Sequence, residues 1–136
     1  MAKTTTPYWN PLRAEQAHHW TVVEGTGGLV EQLLLAIDEA TGDFTRLTRF
    51  KAGADTTDFG PQVHDFPEEI FIVSGRLYDQ ACDRWLEAGD YASRPPGEVH
   101  GPFRAETEVV VLDLSYPGAV TANAKQPTLA RETSPG

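Results

Sequence analysis

Residues 60–75 read GPQVHDFPEEIFIVSG, a stretch in which polar, ligand-type side chains give way to an apolar run that ends in glycine. Side chains alternate faces along a strand, so Gln62, His64, Glu68, Ile70 and Ile72, all of one parity, share a face if the strand is interrupted only locally at Pro67. A row of possible ligands then continues into an apolar row, the arrangement of a pocket with a hydrophobic floor. Burying Glu68 unpaired costs on the order of several kcal/mol. His64 is a poor partner for it at neutral pH, so a cationic group is expected at the same place.

A second segment, GDYASRPPGEVHGPF at residues 89–103, supplies more of the site. Gly89 turns the chain, a strand follows, and Pro95-Pro96-Gly97 makes a tight bend that presents His100. Two histidines and one glutamate from separate strands are thereby expected to converge.

Outward from these segments the pattern is all-β. Between Trp20 and Tyr116 short apolar or alternating runs are separated by Gly, Pro or Asp, and no window sustains a 3.6-residue stripe beyond about two turns. Val30 to Asp38 and Phe44 to Lys51 flank a short loop with Gly42 near its end and read as a hairpin. Helix is the competing reading of LVEQLLLAIDEA, but the Thr- and Phe-rich partner segment favours pairing. The later runs EEIFIVSG, RLYD, DRWLEAGD, YASRP and EVVVLDLSY come at regular spacing and suggest a small sandwich or barrel. The expected organisation is an N-terminal arm over residues 1–18, one barrel domain over 19–118 and a polar tail over 119–136. GTGG at 25–28 lacks the lysine and the helix of a phosphate loop and reads as a turn.

Composition excludes several classes of function. A length of 136 residues suits one domain with a core that needs no staples. The single cysteine, Cys82, rules out an internal disulfide framework and a cysteine zinc cluster, fits a reducing cytoplasm, and reads as a small buried or half-buried thiol. No run of about 18 apolar residues and no secretory hydrophobic centre is present, so neither membrane nor export is expected. A formal charge of -9 with scattered basic residues argues against nucleic acid as a partner.

Gly89, Pro95, Gly97 and His100 match in type and spacing the second motif of the cupin superfamily, G-x5-P-x-G-x2-H, and His64-x3-Glu68-x6-Gly75 fits the end of its first motif. The sequence thus resembles the cupins over about residues 50 to 115, most closely single-domain cupins related to the ChrR-type anti-sigma factor domain and small dioxygenases that cleave carbon-carbon bonds of diketones and aromatic ketones. The resemblance implies a double-stranded β-helix, a jelly-roll barrel, with His64, Glu68 and His100 around a divalent metal. Three departures stand out. Gln62 occupies the first motif's leading histidine position, the preceding glycine, taken as Gly53, lies three residues too far upstream, and Arg104 stands where an asparagine closes the second motif.

Two histidines and one carboxylate with open positions form the set that non-haem Fe(II) oxygenases use, which favours Fe(II), although Mn, Ni and Zn suit the same ligands. Gln62 offers a neutral carbonyl oxygen, either as a weak ligand or to orient water, substrate or dioxygen. The expected activity is dioxygenase cleavage of a small enolisable carbonyl or aromatic compound. A non-redox lyase, isomerase or cyclase with Glu69 or a tyrosine as base is one alternative. A metal-free or metal-sensing binding cupin, with His64 and Glu68 as a hydrogen-bonded pair, is another.

Phe103, Tyr91 and Arg49 are the candidate pocket residues. Arg46 and Arg49 have opposite parity, so at most one of them points inward, where it would suit an enolate or carboxylate. His18 and His19 read as surface residues. Because EEIFIVSG is apolar on both faces, Phe71 and Val73 need a cover as much as Ile70 and Ile72 do, and a homodimer is expected.

Overall fold

The computed structural model describes residues 2–5 and 8–118, so the expected tail over 119–136 lies outside the described residues. Nine strands form among them: β1 (Thr21–Val22), β2 (Val30–Ile37), β3 (Phe44–Phe50), β4 (Glu68–Ser74), β5 (Arg76–Asp79), β6 (Arg84–Glu87), β7 (Tyr91–Arg94), β8 (Phe103–Arg104) and β9 (Val109–Ser115). They pair antiparallel in two sheets, one ordered β1-β2-β3-β9-β4-β7 and the other β6-β5-β8. The fold is all-β, as its punctuation indicates, and the helical elements among the described residues are short 3-10 turns at Ala14–His19 and Thr57–Phe59. None of its helices is long and apolar enough to cross a membrane among the described residues.

VEQLLLAI is strand and not helix because β3 lies beside it, in register from Val30↔Phe50 to Ile37↔Phe44 with a bulge between Leu34 and Ala36. The last strand, β9, inserts between β3 and β4, and brings Asp113 opposite Arg46 on one side and Ile70 on the other. The inward rows of both sheets meet in a core of Val30, Phe50, Ala54, Ile70, Ile72, Leu77, Ala105, Val109 and Val111. Burial of these side chains contributes on the order of 1.5–3 kcal/mol for each large one.

The outer face of the larger sheet is covered unevenly. Lys3 Nζ donates to Thr45 Oγ1 at 3.1 Å, Thr4 bridges to Ile37, and the Trp20 ring lies 3.9 Å from the Arg49 guanidinium. The segment expected as an N-terminal arm therefore crosses β2 and β3, where Leu33 and Leu47 are 1% and 5% exposed. Beyond it Phe71, Val73 and Tyr91 stand 42%, 38% and 59% exposed. Cys82 is exposed as well, a correction to the buried or half-buried reading, because it sits in the turn between β5 and β6.

Candidate metal centre and its cavity

Strand parity carries Glu68 inward at the head of β4, where it is 3% exposed beside Ile70 and Ile72 on the same face. His64 and Gln62 precede it in a bend, and the bend is tied to the His100 segment by backbone hydrogen bonds. Gln62 N donates to His100 O at 2.7 Å, His100 N to Gln62 O at 3.0 Å, and Gly97 N to His64 O at 2.9 Å. Gln62 and His100 thus form an antiparallel bridge that projects their side chains to one side. Gly97, at φ 88°, makes the turn that allows this approach, in a backbone region that a side chain rarely adopts.

His64, Glu68 and His100 offer ligand atoms that all lie within 4.8 Å of one another. Glu68 Oε1 is 4.0 Å from His64 Nε2 and 3.9 Å from His100 Nε2. Those separations are too long for hydrogen bonds. They fall within the roughly 3–4.2 Å that separates two donors each about 2.1 Å from one ion. Both nitrogens of the buried His100 have no hydrogen-bond partner, which for a polar pair is costly unless something else occupies the site. The donor set and this orphaned imidazole fit a divalent metal. Burial, then the Arg94 charge and His64, push the His100 imidazole down to about 4, so near neutrality it is uncharged and its lone pair is free to bind.

The cationic partner that Glu68 requires is Arg94, which the sequence reading did not identify. It sits opposite Glu68 in the β4–β7 register, 8% exposed, with Nη1 3.4 Å from Glu68 Oε1 and Nη2 3.8 Å from Asp79 Oδ2. Asp79 in turn accepts from Gly101 N at 2.9 Å, so the backbone just after His100 hangs on the same network. Its visible signal was parity, since Arg94 shares a face with Ala92 on a strand whose partner carries the glutamate.

These groups wall a cavity of about 260 Å³, smaller than the usual range for drug-sized ligands and suited to a small molecule. Apolar side chains from Val30, Phe50, Ile70, Leu77, Phe103 and Val111 line much of it. Of the expected pocket residues, Gln62 and Phe103 reach this cavity. Arg49, Tyr91 and Glu69 do not, and each is a correction with the same cause, a parity that places it on the outer face. Arg49 pairs with Glu31 at 2.5 Å, and the Tyr91 hydroxyl donates to Glu69 Oε1 at 2.8 Å. The inward arginine of β3 is Arg46, whose Nε donates to Asp113 Oδ2 at 2.7 Å. Burial pushes the Asp113 carboxyl up to about 6 against the lowering effect of Arg46.

The divergent loop over residues 52–61 also shapes the cavity. Thr56 exchanges hydrogen bonds with the Phe103 backbone and Asp55 bridges to Arg104, so the turn at Thr57–Phe59 docks on β8 and delivers Thr56 and Phe59 to the cavity wall. Arg104 itself is exposed and lies over the Tyr78 ring, away from the cavity.

The architecture and the sequence have recognisable relatives. An acetylacetone dioxygenase from Acinetobacter johnsonii matches with a TM-score of 0.63 at 19% identity, over 92% of this chain and 85% of that one. The anti-sigma ChrR complex with SigE from Rhodobacter sphaeroides gives 0.58 at 21% identity, over 76% and 51%, and KdgF from a Halomonas species gives 0.56 at 24%, over 73% and 88%. Identities this low establish a common fold, the jelly-roll barrel of the cupins. A search of functionally curated proteins returns no significant match. The family model for the ChrR cupin-like domain matches residues 12–116, and by a match of that length the chain belongs to the ChrR cupin-like family.

Proposed function

We propose that the chain is a cytoplasmic, metal-dependent dioxygenase that cleaves a carbon-carbon bond in a small enolisable carbonyl or aromatic compound, with Fe(II) as the working ion. The observation that carries this reading is the convergence of His64, Glu68 and His100 within 4.8 Å on the wall of a small cavity, with His100 otherwise unpartnered. The neighbouring fold of an acetylacetone dioxygenase supports it. One cysteine in the chain accords with a reducing compartment.

His64, Glu68 and His100 would hold the ion, which when bound supplies Lewis acidity for an enolate and, as Fe(II), affinity for dioxygen. Arg94 neutralises Glu68 and fixes its carboxylate. Gln62, paired through its backbone with His100, presents its amide next to the ligands to orient substrate or water. Phe103, Phe50 and Ile70 exclude solvent from the reacting group. Dioxygen is the oxidant, and both of its atoms pass into the two carbonyl products.

Anaerobic reconstitution with Fe(II), followed by oxygen uptake with β-diketones and hydroxylated aryl ketones, tests the reading. Uptake that depends on Fe(II) supports it, and no uptake with any divalent metal overturns it. A metal-free binding cupin is the second reading, favoured by Arg94, which balances Glu68 without an ion. Metal analysis of the isolated protein separates the two, since about one ion per chain excludes the second. The exposed Phe71, Val73 and Tyr91 support a homodimer joined through the outer face of β4 and β7.

A further inference from the structure

Arg46 differs from the other arginine of the cavity in what remains free on its guanidinium. Arg94 directs one terminal nitrogen toward Glu68 and the other toward Asp79. Arg46 uses only Nε, on Asp113, and neither terminal nitrogen has a protein acceptor among the described residues, although its side chain is 29% exposed. The group is also held in place. Asp113 accepts from Thr48 Oγ1 at 3.1 Å and Thr48 accepts from Gln32 at 3.3 Å, which makes a polar ladder across β2, β3 and β9. The Phe44 ring lies 4.2 Å from the Arg46 guanidinium, meets Phe66 edge-on at 6.2 Å, and Phe66 stacks on His64 at 4.7 Å. An aromatic wall therefore runs from Arg46 to a candidate metal ligand. β3 and β4 flank β9, so about 10 Å separates their backbones, and Arg46 and Glu68 both line the same cavity.

We propose that Arg46 is the carboxylate-recognition residue of this cavity, so that the substrate is a small organic acid with its enolisable dicarbonyl or hydroxy-ketone group at the metal centre and its carboxylate on Arg46. The dicarbonyl half of this assignment rests on the proposed function, and the carboxylate half does not. Two free, preoriented N–H groups match a carboxylate in geometry and charge. The two carboxylates that line the cavity, Glu68 and Asp113, are each engaged by an arginine, so they do not leave an unpaired negative charge facing the incoming anion.

Isothermal titration calorimetry under anaerobic conditions tests this on the zinc-loaded and the chelator-treated protein, with 4,6-dioxoheptanoate and its methyl ester as ligands. The expected result is that the acid binds at least about tenfold more tightly than the ester. Arg46→Gln should abolish the preference and leave ester affinity within about twofold. If that variant fails to fold, the double variant Arg46→Gln with Asp113→Asn, which leaves no unpaired buried acid, takes its place. A preference that persists without metal, where zinc adds nothing to either affinity, would support the Arg46 assignment and count against the metal-centre reading. Equal binding of acid and ester, no measurable binding of the acid at millimolar concentration, or a preference that survives the substitution would overturn the assignment.

Discussion

His100 shows how one buried side chain links stability to function. Its imidazole titrates at about 4 in the folded chain against 6.5 ordinarily, so between those values the unfolded state holds the extra proton and acidification destabilises the fold. Asp113 has the opposite sign, because its carboxyl at about 6 instead of 3.8 lets the folded state hold the extra proton, and stability falls as pH rises through that window. The two contributions oppose each other between about pH 4 and 6. In metal-free protein, Asp113→Asn should therefore make stability fall more steeply than wild type as pH drops from 6.5 to 4, by up to about 1.4 kcal/mol per pH unit. His100→Gln should shift the slope the other way. Urea midpoints across this range check both. His100→Ala should also reduce bound metal at least tenfold, as read by equilibrium dialysis, since it removes one of three protein ligands. Arg94→Met leaves Glu68 and Asp79 as buried uncompensated acids, and an unfolding cost of about 3–5 kcal/mol is expected from denaturant titration.

Turns and strand crossings set the elements in place. Gly75 joins β4 of one sheet to β5 of the other at φ 76°, and a Cβ there would stand 2.2 Å from the Glu108 carbonyl oxygen. Gly42, at φ 83° in the β2–β3 loop, has open space around it. Gly75→Ala should therefore cost more than about 2 kcal/mol, from clash and backbone strain together, whereas Gly42→Ala should cost about 1 kcal/mol from strain alone. Denaturant midpoints of the two variants make the comparison. Most of the longer strands were legible in the sequence because period-two alternation is local. β1 and β8, two residues each, were not legible, because they exist only where a partner strand lies alongside.

Phe71, Val73 and Tyr91 form an apolar patch on the outer face of β4 and β7. Sedimentation velocity at micromolar concentration should show a dimer. Replacing Phe71 and Val73 together with lysine should yield a monomer that still binds about one metal ion per chain, because both residues face away from His64, Glu68 and His100. A monomeric wild type would remove the dimer.

The all-β class, the opening hairpin and the inward face of β4 shared by Glu68, Ile70 and Ile72 are legible in the sequence, because strand alternation is a property of short segments. The sequence also demanded a cation beside Glu68. That this cation is Arg94, that Arg46 and not Arg49 faces the cavity, and that Glu69 and Tyr91 pair with each other outside follow from how the strands pack. Parity separates the two faces of a strand, but only the order of strands in the sheets says which face is inside and which side chains meet there.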